Sequence, residues 1–510
     1  MPPAAPVGTL VALALAEVPV PAPVVVQALA PEVVRALGQV VAPAGDLEAV
    51  PVADLAMVPV EDPVATPAAV RAALAAAQAH HQAGTTSDMA QRSPRCKKDG
   101  ARLRRASVVQ TTHLGRTDVA HAIELHDAEE VISALGTVME NWNLTNSRGQ
   151  VADDTPVSRI HGAPGGRYNF QSWWSRRPLK SIGLAGAACG AVADLTQGFC
   201  DARPGILALH CGAVRINGHL VAFTGYYRTG KTTLVTRLAA EPELSLFCDD
   251  VLPVLPDGTA IALGIQPRLR LPLPDNVAPE FRSFVDHNLT IRDSRYGYVA
   301  SPTLAPHGTR APLSAIVVLS RCEGVPASLH HVDVAEAAGH LIRQNIADPG
   351  AAETHYDQIA AMANRLLCLK LRYSDLEEAV AVLLEAFESD TIPAPEINIQ
   401  PSLPPEPTKT ACEIADLKIL FRRSEQVAQR VIGTDTFLWQ VEDRNFYSLN
   451  PIAAAIWTLL ETPMTGLELV GILQKAFSET EGAKIESDTA ELLGALLTRN
   501  LVSTCEKTIS

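Results

Sequence analysis

Basic charge is scarce in this 510-residue chain: 42 lysines and arginines stand against 56 aspartates and glutamates, for a net charge of −14. A general nucleic-acid binder needs a basic field to displace counterions from phosphates, so that class is set aside. The nine cysteines, at 96, 189, 200, 211, 248, 322, 368, 412 and 505, include no CxxC pair. That spacing excludes a zinc ribbon or dithiol redox motif, and the low density fits a reducing, cytoplasmic setting. No long apolar run is uninterrupted either. The run LVALALAEVPVPAPVVV is broken by Glu17, Pro19, Pro21 and Pro23 and has no basic flank. It falls short of the ~20 residues that span a bilayer, so neither a membrane anchor nor a signal peptide is expected.

Residues 1–70 contain twelve prolines among Ala, Val and Leu, with Arg35 as the only basic side chain. Prolines at that frequency prevent a long helix. A largely disordered extension over 1–105 is expected, with short helical chances around 31–42 and 68–82. It ends in RSPRCKKDGARLRR (92–105), read as a solvated linker or, alternatively, a contact for an anionic partner.

Folded-domain patterning begins near 106 and continues to about 390. TDVAHAIELHDAEEVISAL alternates and then turns helical, and SIGLAGAACGAVADLTQGF reads as a small-residue helix. GILALHCGAVRINGHLVAFTG reads as strands joined by Asn217-Gly218, a strong hairpin signal because both residues tolerate positive φ. The strand HLVAFT runs into Gly225-Tyr226-Tyr227-Arg228-Thr229-Gly230-Lys231-Thr232-Thr233, and TTLVTRLAA continues as a helix. Strand, glycine loop and helix in that order form the setting of a phosphate-binding loop.

The glycines let backbone N–H groups turn toward phosphate oxygens, and the helix N-terminus adds partial positive charge. Lys231 can reach the β- and γ-phosphates, while the Thr232 hydroxyl can ligate Mg²⁺. The alternative is a chance motif in an ordinary strand–helix turn. Tyr226 and Tyr227 occupy formally free positions and could face nucleotide or acceptor. Farther on, LSLFCDDV is an apolar strand ending in Asp249-Asp250, which a sheet would place beside a bound metal or else leave as a solvated strand cap. His210 closes the strand ILALH, one hairpin before the glycines; a lone histidine there is more often structural.

HCGAVRINGHLVAFTGYYRTGKTT followed by LFCDD resembles the HPr kinase/phosphorylase family, most specifically over 206–252 and more loosely over about 180–385. The resemblance implies an α/β P-loop kinase domain that uses Mg²⁺ and ATP. It makes His210 the active-site histidine, Lys231 the phosphate-loop lysine and Thr232 a metal-binding hydroxyl. Asp249 would join the metal site, and Asp250 would take the acceptor's proton. Two family features have no match: the downstream glutamate that completes the metal site and the segment tied to phosphorylase activity. ALGIQPRLRLP, with Arg268 and Arg270, stands there instead and resembles divergent relatives found near peptide-modification genes. Dephosphorylation and HPr as substrate are therefore not expected. The family is hexameric, which implies a homo-oligomer that no pattern here tests.

Residues 391–412 contain six prolines and read as a semi-extended linker transmitting little rigid coupling. A separate small domain is expected over 413–510, able to fold alone from near Thr408. FLWQVEDRNFYSLNPIAAAIWTLLE reads as a strand pair and then a helix starting at Asn450-Pro451. MTGLELVGILQKAF, capped by Thr465, and DTAELLGALLTRNLV are two more helices. Phe446, Tyr447, Leu449, Asn450, Trp457 and Leu460 in this order resemble the PqqD-like peptide-recognition family, implying a winged-helix-like α+β unit. By that likeness it would add a precursor peptide's leader as an extra strand, although plain core packing equally accounts for Trp457 and Leu460.

Together these readings give an ATP-dependent kinase phosphorylating a Ser or Thr hydroxyl on a peptide, or a protein bearing such a segment, captured by 413–510. Two alternatives remain: a nucleotide-binding chaperone that presents a precursor to a maturase without phosphoryl transfer, and a small-molecule kinase.

Overall fold

The computed structural model describes residues 58–59 and 111–505, except 148–154, 176, 226–228, 349, 396, 404–413, 441–444 and 479. The expectations for 31–42, 68–82 and 92–105 lie outside those residues. Among the described residues, no helix is long and apolar enough to cross a membrane.

The long strand Arg310–Arg321 is the axis of a nine-stranded mixed sheet. Residues 315–319, Ala-Ile-Val-Val-Leu, are all buried, as a strand covered on both faces requires. Its second half pairs in parallel with His219–Thr224 on one side and Leu367–Tyr373 on the other. Its first half pairs antiparallel with Thr259–Ile261. The hairpin Gly212–Ile216 to His219–Thr224 turns at Asn217 (φ 45°) and Gly218 (φ 88°), the two positive φ values that a tight hairpin turn demands.

The helix Lys231–Leu238 follows the glycine loop and buries Leu234, Val235 and Leu238 against Val214, Phe223 and Leu246. Arg237 anchors its exposed side, donating from Nε to both Glu377 carboxylate oxygens at 2.9 and 3.0 Å and from Nη1 to Glu241 at 2.5 Å.

Upstream lies a second sheet of six strands between Thr111 and Ile182, carrying the helices Glu129–Val138 and Leu184–Asp201. The second helix presses onto its sheet because it is made of small residues. A Cβ at Gly190 would meet the Phe170 ring at 2.6 Å. Its buried face therefore cannot gain even a methyl group without displacing the sheet.

The C-terminal unit holds the hairpin Val427–Ile432 and Asp435–Gln440, the strand Asn445–Leu449, and the helices Pro451–Leu459, Gly466–Ala476 and Gly482–Thr498. Asn450 caps the first helix by accepting from the Ile452 and Ala453 amides. Thr465 and Glu468 form a capping box on the second. Adjacent strand residues point to opposite faces, and here both faces are buried. Leu438, Tyr447 and Leu449 pack on the unit's own helices. Phe437, Trp439 and Phe446 share a core with Tyr356 and Ile359 of the helix Ala352–Arg365.

That shared core overturns the expectation of two loosely coupled halves. The described part of the proline-rich segment, up to residue 403, is not a free tether either. Ile392, Ile397 and Ile399 pack on the nine-stranded sheet's core, and Gln400 exchanges backbone hydrogen bonds with Leu329 and His331. One piece of the N-terminal extension is also placed: Val58–Pro59 pairs antiparallel with Tyr447 and Ser448.

Candidate active site at the glycine loop

The loop leaves the end of His219–Thr224 beside the long central strand, at the carboxyl ends of two parallel neighbours, where open α/β sheets bind ligands. Gly225 (φ 153°) approaches so closely that a Cβ would lie 3.0 Å from the Leu319 carbonyl oxygen. Gly230 (φ 92°) sits at the helix N-cap. Tyr373 buttresses the loop by donating its hydroxyl to the Thr229 carbonyl at 2.8 Å. Lys231 Nζ donates to the Gly225 carbonyl at 3.0 Å, so the ammonium is folded back over the loop. Burial lowers the Lys231 pKa, while Asp250, Cys211 and Asp249 pull the other way. Tyr226, Tyr227 and Arg228 lie outside the described residues.

Antiparallel pairing of Val251 with His210 brings the two strand ends together. His210 Nε2 lies 3.2 Å from Asp250 Oδ1. Desolvation alone would raise Asp250, but the His210 hydrogen bond and the charges of His210, Arg268 and Lys231 hold it down to about 2. Asp250 is nevertheless open to the cleft, with 68% of its side chain exposed; enclosure among cationic groups, not isolation from water, sets its state.

Asp249 behaves oppositely. Burial and then the Asp250 charge push it up to about 6, against hydrogen bonds from the Arg268 amide (2.9 Å) and the Thr232 hydroxyl. Its Oδ1 is buried without a hydrogen-bond partner, as is His210 Nδ1.

All these groups face one cleft of about 1500 Å³, lined also by Thr229, Gly230 and Thr233. The structure therefore brings together His210, Lys231, Thr232, Asp249 and Asp250. Among the described lining residues there is no glutamate. Arg268 faces the acid pair, with its guanidinium 4.5 Å from the Tyr296 ring centroid. Its neighbourhood in sequence, IQPRLRLP, gives only a departure from pattern; a role beside the acid pair is visible only once Arg268–Arg270 pairs with Tyr296–Val299. Neither did the sequence reveal that the upstream sheet supplies a cleft wall through Arg167, Arg177 and Lys180. No local motif marks them, since nothing in a hairpin's composition says which cavity it will border.

Residues 435–502 match the model of the PqqD family, coenzyme PQQ synthesis protein D. The C-terminal unit carries a PqqD-like domain. Among solved structures, the chain is similar to the Hpr(Ser) kinase/phosphatase from Coxiella burnetii at 11% identity and a TM-score of 0.16, over 35% of this chain and 92% of that one. No curated protein matches the chain. Within the PqqD-like domain Trp457 and Leu460 are core residues, 2% and 0% exposed, and Trp457 Nε1 donates to Gln429 at 2.7 Å. Among the described residues no three His, Cys, Asp or Glu side chains are grouped to hold a metal ion.

Proposed function

We propose that the protein is an ATP-dependent kinase that phosphorylates a Ser or Thr hydroxyl of a peptide, or of a protein bearing such a segment, held by the PqqD-like domain. The observation that carries this reading is the pairing of Thr232 with Asp249 and of His210 with Asp250 beside Lys231 and the glycine loop. The loop's amides, its helix N-terminus and Lys231 suit the nucleotide's phosphates. The orphaned Asp249 oxygen and the Thr232 hydroxyl suit Mg²⁺, which commonly takes one or two protein oxygens and completes its shell with phosphates and water. When bound, the ion supplies charge neutralisation at the β- and γ-phosphates.

Asp250 is held as a carboxylate and is open to the cleft. It accepts a hydrogen bond from the acceptor hydroxyl, aligning that oxygen with the γ-phosphorus. As the new O–P bond forms, the bond to the β–γ bridging oxygen breaks, ADP leaves, and the hydroxyl proton passes to Asp250. His210, with Nε2 3.2 Å from Asp250 Oδ1, fixes the orientation of the carboxylate. A weakly basic carboxylate suits this role, because the reaction depends chiefly on positioning and electrostatics.

Strand addition by the PqqD-like domain is supported by Val58–Pro59, which already lies as a strand against Asn445–Leu449. An incoming peptide using that edge displaces those two residues.

The test is calorimetric titration of the full chain with Mg²⁺–ATP. Lys231→Ala should weaken binding by about tenfold or more, the scale of one lost charge-assisted contact, without altering the far-UV dichroism. Equal binding by wild type and variant would remove this loop as the nucleotide site. Nucleotide binding without transfer to any peptide would instead favour the presenting chaperone, which two metal-facing oxygens and no glutamate also suit.

A further inference from the structure

The cleft reverses the charge balance of the chain. Among the described residues, eight lysine and arginine side chains line it against four aspartates, whereas the whole chain has 42 against 56 acidic residues. The four aspartates have visible occupations. Asp249 and Asp250 belong to the loop site. Asp194 accepts from the Ser158 and Ser172 hydroxyls. Asp293 Oδ1 accepts from the Arg295 and Tyr296 amides at 2.8 and 3.0 Å.

The cations divide by wall. Lys231 and Arg268 stand at the loop and acid pair, and Arg321 ends the central strand. Arg167, Arg177 and Lys180 come from the last hairpin of the upstream sheet, and Arg270 and Arg295 from the small sheet around Tyr296–Val299. A nucleotide at the loop meets Lys231, the helix N-terminus and its metal ion; five cations on other walls exceed that need. Space exceeds it as well. About 1500 Å³ is beyond the ~300–1,000 Å³ of a single small-molecule site.

We propose that these walls bind the acceptor as an acidic peptide segment, its Ser or Thr flanked by aspartates or glutamates. This rests on the kinase reading of the cleft. Guanidinium forks match carboxylates two bonds at a time, and a partly enclosed cleft screens them less than open solvent does. A neutral or basic segment would lack this charge complementarity to the walls.

The experiment uses the full chain loaded with Mg²⁺ and a non-hydrolysable ATP analogue. Fluorescein-labelled peptides with one central Ser, flanked by Glu, Ala or Lys, are titrated by anisotropy. Transfer from Mg²⁺–ATP to the same peptides is followed separately by mass spectrometry. The Glu-flanked peptide should bind about tenfold or more tighter than the Ala-flanked one, and the advantage should shrink at high salt. Lys180 and Arg270 are exposed, so the double variant Lys180→Glu/Arg270→Glu should fold. It should shift preference to the Lys-flanked peptide, a gain that misfolding cannot mimic. Equal or tighter binding of the Ala- or Lys-flanked peptide to the wild type overturns the proposal. So does a Glu preference untouched by the double reversal. Displacement of the Glu peptide by citrate at equal concentration overturns it in favour of a small anionic acceptor. Acidic preference without transfer to any peptide leaves this binding proposal standing and defeats the kinase reading; transfer without acidic preference does the reverse.

Discussion

The glycine-loop cleft and the aromatic face of the PqqD-like sheet are both places where separate parts of the chain meet, and they are built from opposite materials. Among the described residues the cleft collects eight basic and four acidic side chains and leaves Asp249 Oδ1 and His210 Nδ1 buried without partners. The sheet face collects Phe437, Trp439 and Phe446 against Tyr356, with the Trp439 and Phe446 rings 4.4 Å apart and edge-on. One surface borders an open cavity in which a ligand can satisfy such groups, while the sheet face shuts its own, Trp439 Nε1, Tyr356 Oη and His355 Nδ1, inside a core, each at a cost in stability. The other excludes water, and its stabilisation is spread over both units. The difference teaches that the PqqD-like unit is mounted on the glycine-loop unit, not tethered to it.

The sharpest break in that comparison is Trp439→Ala. Trp439 is 3% exposed, and emptying such a site costs about 3–5 kcal/mol for a large aromatic. Because its neighbours belong to the helix Ala352–Arg365, urea unfolding followed by far-UV dichroism and by nucleotide binding should shift together. A C-terminal transition that moves alone would show that the two units do not share a core. A fragment beginning near Thr408 should, for the same reason, expose Phe437, Trp439 and Phe446 and self-associate.

Asp250→Asn breaks the chemistry and spares the frame. The amide keeps shape and an oxygen acceptor but cannot take the acceptor's proton. Phosphoryl transfer should fall by about two orders of magnitude or more, roughly 3 kcal/mol, with Mg²⁺–ATP affinity close to wild type in calorimetry. Loss of transfer in Asp249→Asn together with full activity in Asp250→Asn would mean that the two carboxylates have exchanged roles.

The two regions were unequally legible in the sequence. The loop could be read because its residues are local: Gly225, Gly230, Lys231 and Thr232 belong to one strand–turn–helix, Asp249-Asp250 directly follow the strand Ser245–Cys248, and His210 ends the strand Leu207–His210. In the C-terminal unit one strand pair, the helices and both caps were legible from alternation, Asn450-Pro451 and Thr465, but the strands Leu420–Arg423, Val427–Ile432 and Val502–Cys505 were not. What they pack against was not. The run Phe437-Leu438-Trp439 held the clue, since three consecutive large apolar residues in a strand demand cover on both faces. Naming the second cover requires Tyr356, eighty residues away and unmarked. The cleft's basic walls were illegible for the same reason: Lys180 and Arg270 meet only through the tertiary fold.

Asp249→Asn probes the stability cost of a prepared site. The folded pKa of Asp249 is raised to about 6 from 3.8, so the folded state holds this proton more tightly than the unfolded chain does. The penalty for an ionised Asp249 is therefore complete above pH ~6 and relieved as the pH falls toward ~4. Without nucleotide or metal, the asparagine variant should be more stable than wild type by about 1–3 kcal/mol at pH 8, with the gain vanishing near pH 4. Urea titrations at the two pH values measure it. A gain independent of pH would assign the effect to packing. The same proton must leave before the carboxylate can ligate a cation, so Mg²⁺-dependent nucleotide affinity should weaken below pH ~6.

The smallest effect tests whether the comparison extends beyond the interface. Thr465 caps the helix Gly466–Ala476: its hydroxyl accepts from the Glu468 amide at 3.3 Å, and its own amide donates to Glu468 Oε2 at 2.7 Å. Thr465→Ala removes one half of that box and should cost about 1 kcal/mol. The helix buries Leu469, Val470 and Leu473 in the unit's own core, on the side of the sheet away from Phe437 and Trp439. Yet that sheet is shared, with Leu438 facing one core and Trp439 the other. Loosening the helix therefore withdraws support from the same strands that dock on Tyr356. If the units unfold as one, the loss should appear in the midpoint for nucleotide binding as well as in the dichroism, and Thr465→Ser should restore both. A loss confined to the dichroism would place the cap's contribution in a locally unfolding segment and restrict the shared core to the strand face itself.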